Sequence, residues 1–269
     1  MRYMAFAVPN YLYGGAVMAY FPYKNKRVYY EDYGEGMPVV FLHGNTASSK
    51  MFTPILPEFK RQFRIILIDF LGHGLSDRLS SFPVDLWYDE AMQVIALLEI
   101  LQIPKTHLIG SSGGALVAIN VALERPDLVD KVVADSFEGE QALDAFTKNI
   151  VAERQASKED PNASMFYEIM HGADWESVID NDTAVIAAHA EKIKMFFHHP
   201  ISTLENDILM IGTQQDRCVS TGAHYLAHKY GEMLQKIGHG SFYIFAAGNH
   251  PAMISNSGQF CGIVKAFLL

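Results

Sequence analysis

The chain has 269 residues, 49% of them apolar and 19% charged, with 20 glycines and 11 prolines. That balance excludes disordered, collagen-like and coiled-coil chains, and a chain this long buries roughly three quarters of its unfolded surface without staples. With 21 basic against 30 acidic residues the formal net charge is −9, which repels nucleic acid and anionic membranes and leaves a small molecule as the expected partner.

Residues 11–21 form an apolar run of about the length of a signal-peptide core. Only Arg2 is basic before it, Pro9 and Asn10 interrupt its approach, and its tyrosines are unusual for such a core. Cys218 and Cys261 are the only cysteines and make no disulfide framework. No apolar stretch is long enough to cross a bilayer. We expect an unprocessed cytoplasmic protein.

Short apolar runs then alternate with longer amphipathic ones. Residues 27–33 read as a strand turned back by Tyr33-Gly34-Glu35-Gly36. Further strands are expected at 37–42, 64–70, 106–110, 131–134, 207–212 and 241–246, several β-branched and bounded by Gly, Pro or Asp. Helical periodicity marks 85–101, where Leu86, Val94, Leu97, Leu98 and Leu101 share a side, and also 113–123, 222–234 and 254–269. Strand followed by helix, repeated, implies parallel strands with right-handed crossovers, hence a doubly wound α/β sheet. The alternation lapses between Phe137 and about Glu205, where helical patterns at 143–152 and 184–197 accompany Tyr167 and Trp175. That stretch is too long for a crossover. We expect a helical cap at 137–205, inserted into a core built from 1–136 and 206–269, above the carboxyl edge where open α/β sheets bind ligands.

One motif lies at that edge. Gly110-Ser111-Ser112-Gly113-Gly114 follows a strand and opens a helix, and only Ser112 has Gly two residues to each side. Such a turn is sterically tight, exposes the hydroxyl and aims helix-terminal N–H groups at a bound carbonyl. A serine needs a base, and the base needs an orienting carboxylate. Of the 11 histidines, His250 follows the last strand and precedes the last helix, and Asp216 follows the strand 207–212. The order Ser112, Asp216, His250 is the one this fold uses. Asp135 is a second candidate for the carboxylate. Asn45, after the strand 37–42, and Gly113 are the candidate N–H donors to an oxyanion.

These features together resemble the α/β-hydrolase superfamily from about Arg27 onward: His43-Gly44-Asn45, then Asp69-x-x-Gly72-x-Gly74-x-Ser76-Asp77, the Ser112 elbow, and the late Asp216 and His250. The resemblance implies an eight-stranded, mostly parallel sheet with a cap, Ser112 as nucleophile, His250 as base, Asp216 as its partner, and Asn45 and Gly113 as oxyanion donors. Serine at the elbow excludes the aspartate-nucleophile branch that acts on haloalkanes and epoxides. Gly113 stands where proline-iminopeptidase-like members carry Trp. A departure is Gly248-Asn249-His250, since relatives have Gly directly before the His. Residues 1–26 lie outside the resemblance, as an extra edge strand or a segment contributing to a homodimer.

Other polar residues carry weaker expectations. Asp135, Glu138 and Glu140 form either a solvated loop or a negative rim for a cationic group of the substrate. His43 and His73 are expected to brace loops. His224 with His228, and His198 with His199, lack a metal-ligand motif and read as surface residues. Asn162 and Asn181 sit in glycosylation-type triplets that mean little inside a cell. No phosphate-binding or dinucleotide glycine pattern is present, so no cofactor and no metal are expected. The expected activity is hydrolysis of a small carboxylic ester through an acyl-serine. Amide or C–C bond hydrolysis, perhydrolysis, and a non-catalytic receptor on the same fold are the alternatives.

Overall fold

The computed structural model describes residues 11–13, 16–219, 221–222 and 224–269. In chain order the elements begin with strands β1 (Tyr11–Tyr13), β2 (Ala16–Tyr23), β3 (Lys26–Tyr33) and β4 (Met37–Leu42), then the one-turn helix α1 (Leu56–Phe59), β5 (Phe63–Asp69) and α2 (Leu86–Ile100). They continue with β6 (Thr106–Ser111), α3 (Gly113–Glu124), β7 (Val129–Asp135), three consecutive helices α4 (Asp144–Glu159), α5 (Pro161–His171) and α6 (Trp175–Lys192), and β8 (Asp207–Thr213). The chain closes with α7 (Tyr225–Ile237), β9 (Ser241–Phe245), α8 (Ala252–Ser255) and α9 (Ser257–Leu268).

The sheet order is β1-β2-β3-β5-β4-β6-β7-β8-β9. From β5 to β9 neighbours are parallel, while β1, β2 and β3 run antiparallel into β5. The expected eight-stranded, mostly parallel sheet is present as β2–β9, and β1 adds a three-residue edge. Part of the segment ahead of Arg27 thus extends the sheet; residues 1–10, 14 and 15 lie outside the described residues. Among the described residues no helix is long and apolar enough to cross a membrane.

The pleat explains why the central strands are apolar throughout. Val40, Leu42, Ile66, Ile68, Leu108, Val132, Ala134, Ile208 and Met210 pack against α2, α3 and α7. Their sequence neighbours Val39, Phe41, Ile65, Leu67, Ile109, Val133, Leu209 and Ile211 pack on the opposite side with Phe59 of α1 and Phe260, Val264 and Leu268 of α9. Successive side chains alternate faces, so covering both faces demands apolar residues at nearly every position.

Several helices differ from the sequence expectation; the one expected at 143–152 runs on to Glu159. The helix expected at 184–197 starts at Trp175 and ends at Lys192. Lys194 turns with φ of 69°, and the chain returns to pair with the start of the insertion, Ala142 N–H donating to Lys194 O and Phe196 N–H to Glu140 O at 3.0 Å each. Phe196 is thereby buried edge-on against Trp87 instead of continuing the helix. Helix α5 was not expected, and the last helix is split at Asn256 into α8 and α9.

Helix α3 crosses β4 and β6 at backbone contact distance. A Cβ at Gly110 would lie 2.0 Å from Gly114 O, and one at Gly114 would lie 2.0 Å from Leu42 O, both against backbone. Helix propensity favours Ala over Gly by about 1 kcal/mol, so Gly114→Ala would stabilise an isolated helix. Here overpacking wins: we predict that Gly114→Ala lowers stability by at least about 3 kcal/mol, read as a lower urea midpoint at unchanged slope. An unchanged midpoint would show that α3 can move off the sheet.

Candidate active site

Ser112 sits between β6 and α3 with φ of 55° and ψ of −123°, a backbone conformation that costs a non-glycine residue about 1–3 kcal/mol. Its N–H is tied to Asp135 O at 2.7 Å, and its carbonyl accepts from Ala115 N–H at 2.9 Å. Held there, its hydroxyl lies 2.9 Å from His250 Nε2, and His250 Nδ1 lies 2.9 Å from Asp216 Oδ2. The network assigns the tautomer: a carboxylate only accepts, so Nδ1 carries the proton and Nε2 presents its lone pair to the serine. Asp216 is buried, and its other oxygen accepts from Cys218 N–H at 2.9 Å and Val219 N–H at 3.2 Å. Gln214 N–H to Phe245 O at 2.9 Å and Thr213 Oγ1–H to Gly248 O at 2.9 Å lock the acid and histidine loops together. Asn249, between Gly248 and His250, therefore does not displace the imidazole.

The second candidate carboxylate behaves differently. Asp135 is fully buried and accepts from Ser111 Oγ (3.0 Å), Ser136 Oγ (3.0 Å) and Met253 N–H (3.2 Å). It is neither a rim residue nor the partner of His250, a correction with a simple cause. Val133 faces α9, so the pleat sends Asp135, two residues on, to the same side of the sheet and away from the cavity. Burial pushes its carboxyl up to about 7. Glu138 lines the cavity but is buried, not an exposed rim; burial, helped by the charge of Asp216, raises it to about 7. Glu140 is paired with Lys236.

Ser112, Gly113, Asn45 and His250 open onto a cavity of about 430 Å³, walled on its far side by Phe146, Ile150, Phe166, Tyr167 and Ile186 of α4–α6. The first N–H of a helix has no acceptor within it, which leaves that of Gly113 free to point at a ligand. A Cβ at Gly113 would lie 2.1 Å from Asn45 Oδ1, so a larger residue there would displace the Asn45 side chain. That oxygen accepts from Trp87 Nε1–H at 3.1 Å, and Asn45 Nδ2–H donates to Asp182 Oδ2 at 2.9 Å. Burial alone would raise the wholly buried Asp182, but His73, Arg154 and Asn45 outweigh it and hold the carboxyl below its usual range. The adjoining Thr46 accepts from Arg154 at Oγ1 (2.8 Å) and from His171 Nε2–H at its carbonyl (3.0 Å). Asp182, Arg154 and His171 all belong to α4–α6, so the inserted helices hold the Asn45 loop in place.

His43 braces its loop as expected, Nδ1–H donating to Gly44 O at 2.9 Å and Nε2 accepting from Phe70 N–H at 3.1 Å. His73 stacks on Phe82 and lies 3.6 Å from Asp182. Of the histidines read as surface residues, His198 lies by Asp85, His199 by Glu124 and His228 by Glu232. Asp182, Trp87, Arg154 and His171 were not singled out in the sequence as site residues, because each acts through a partner distant in the chain.

Burial holds both His43 and His171 down to about 3, with His73 contributing, so both are neutral in the folded state. In the unfolded chain each titrates near 6.5. Their contribution to stability is complete above about 6.5 and is lost as pH falls from there towards 3. Asp135 and Glu138 have the opposite sign, favouring the fold in acid and losing that contribution as pH rises through about 7. A single replacement isolates the histidine: the stability gap between the natural chain and His171→Gln should narrow by up to about 1.4 kcal/mol per pH unit below 6.5. A gap independent of pH between 7.5 and 4.5 would mean that His171 is not neutral in the fold.

Residues 37–165 match a family described as alpha/beta hydrolase fold. The chain is 34% identical over 108 residues to haloalkane dehalogenase 2 of Mycobacterium tuberculosis, covering 40% of this chain and 37% of that one. It is 33% identical over 126 residues to 2-(acetamidomethylene)succinate hydrolase of Mesorhizobium japonicum, covering 45% and 44%. The chain thus spans less than half the length of the curated relatives it matches. Among solved structures, an esterase from Exiguobacterium antarcticum superposes with a TM-score of 0.74 over 93% of this chain and 98% of that one, at 18% identity, a likeness of fold alone.

Proposed function

We propose that the chain, whose residues 37–165 match the alpha/beta hydrolase fold family, is a serine hydrolase of that superfamily cleaving a small carboxylic ester through an acyl-serine intermediate. The observation that carries the proposal is the unbroken line from Ser112 Oγ through His250 to the buried Asp216, at 2.9 Å for each link. His250 Nε2 takes the hydroxyl proton as Oγ attacks the ester carbonyl. Asn45 and Gly113 N–H groups receive the charge that develops on the carbonyl oxygen. The imidazolium, held by Asp216, then gives its proton to the departing alkoxide. A water, deprotonated in turn by His250, attacks the acyl-serine and releases the acid. No cofactor is needed at any step.

Residues 137–205 serve in this proposal as a cap over the core formed by 1–136 and 206–269. Their aromatic and aliphatic side chains make the acyl-facing wall, which suits an apolar small molecule. The dehalogenase likeness does not carry over as an activity, since Ser112 occupies the position where an aspartate nucleophile would be required. The likeness to 2-(acetamidomethylene)succinate hydrolase supports a second reading, in which the same residues cut a bond other than an ester. Turnover of p-nitrophenyl acyl esters, set beside small amides and diketones, separates the two.

The roles give an ordered expectation for kcat on the preferred substrate. Ser112→Ala should abolish it, and Asp216→Asn should lower it by about 10⁴-fold by fixing the wrong tautomer of His250. Asp135→Asn should cost far less, because its carboxylate touches neither His250 nor the cavity. If Asp135→Asn proved the more damaging of the two, the assignment of the acid would be wrong.

A further inference from the structure

Cys218 follows Asp216 by two residues, in the loop that carries the acid. Its N–H donates to Asp216 Oδ1, which turns the residue back towards His250. One ligand-forming atom from each of Asp216, Cys218 and His250 lies within 4.8 Å of the other two. Among the described residues no other group of three His, Cys, Asp or Glu side chains meets that condition. Carboxylate, imidazole and thiol together form a donor set suited to a borderline divalent cation such as zinc or cadmium. With metal–ligand distances of roughly 2.0–2.3 Å, His250 Nδ1 and Asp216 Oδ2, 2.9 Å apart, are already within reach of a shared ion. Cys218 is exposed and His250 only partly buried, so both can adjust around the buried Asp216.

We propose that Asp216, Cys218 and His250 form an inhibitory site for a zinc-like divalent cation, built on the catalytic base itself. The consequence does not depend on which imidazole nitrogen is bound. A cation on Nε2 occupies the lone pair that faces Ser112. A cation on Nδ1 displaces that proton, and the remaining ring proton then resides on Nε2, which can no longer accept from the serine. Either way Ser112 loses its base, and the fourth position on the metal is left for water. A metal-bound thiol releases its proton to solvent and binds as the thiolate. Cys218 has no part in the proposed hydrolytic cycle; its proximity to the base makes the cycle responsive to metal.

The inhibitory effect rests on the proposed role of His250, whereas binding does not, and the test reads the two separately. Titration of the purified chain with Cd²⁺ or Co²⁺ should raise a thiolate-to-metal charge-transfer absorption that saturates at one ion per chain. The band should persist in Cys261→Ala, which changes the only other cysteine, and vanish in Cys218→Ser. Under ester turnover, Zn²⁺ should inhibit the natural chain reversibly, with activity restored by EDTA. In Cys218→Ser the half-inhibitory concentration, referred to that variant's own metal-free rate, should rise at least about tenfold. Absence of the band in the natural chain, its survival in Cys218→Ser, or equal zinc sensitivity of the two would overturn the proposal. If the chain turned over no ester, the absorption would still decide the metal site, and only the hydrolase reading would fail.

Discussion

The structure depends on holding one serine backbone where serines are seldom found. Ser112 adopts a positive φ because β6 must end and α3 must begin within a single residue, and the surroundings leave no alternative. Gly110 and Gly114 let the helix touch the sheet at backbone distance, and Gly113 lets the Asn45 side chain lie across the elbow. The sheet's nonpolar faces secure both flanks, with α3 on one side and α9 on the other. Strain of about 1–3 kcal/mol at one residue is small beside the burial that fixes these elements, so it persists and keeps the hydroxyl exposed at the carboxyl edge.

A second constraint comes from the helices inserted between β7 and β8. They do more than roof the cavity. Asp182 fixes the amide of Asn45, while Arg154 and His171 fix Thr46, so the loop proposed to receive the oxyanion is oriented from above by the insertion and from the side by Trp87. Arg78 joins the same assembly from the turn after β5, bonding His171 O at 2.7 Å and pairing with Asp174. The pocket's apolar wall and its polar donors are thus parts of one packed unit. A shape change in α4–α6 would reach the Asn45 loop directly through these contacts, which in the proposed cycle would couple substrate fit to the chemical step.

How much of this was legible in the sequence follows from the range of each interaction. Ser112, Asp216 and His250 each stand in a turn after an apolar strand, so local pattern and chain order single them out as candidates, and the fold brings the three together. The braces of His43 followed from its place at the end of β4. Asp135 was misplaced because chain position indicates the sheet edge but not the side to which the pleat sends a side chain. Helix α5 did carry local signals: Asp160 caps it by accepting from Asn162 and Ala163 N–H, Pro161 opens it and Gly172 closes it with φ of 85°. Its apolar residues are too few to reveal periodicity. Asp182 had no such cue. Its partner Asn45 is 137 residues away, and a buried aspartate on a helix resembles an exposed one until the fold brings the two together.

The central claim is that His250 activates the Ser112 hydroxyl. The most direct measurement is the rate and position of covalent labelling by a fluorophosphonate, with peptide mapping of the adduct. The account predicts a single phosphonylated residue, Ser112, labelled rapidly in the natural chain and orders of magnitude more slowly in His250→Ala. An adduct on another residue, or labelling of Ser112 at the same rate without the imidazole, would contradict it.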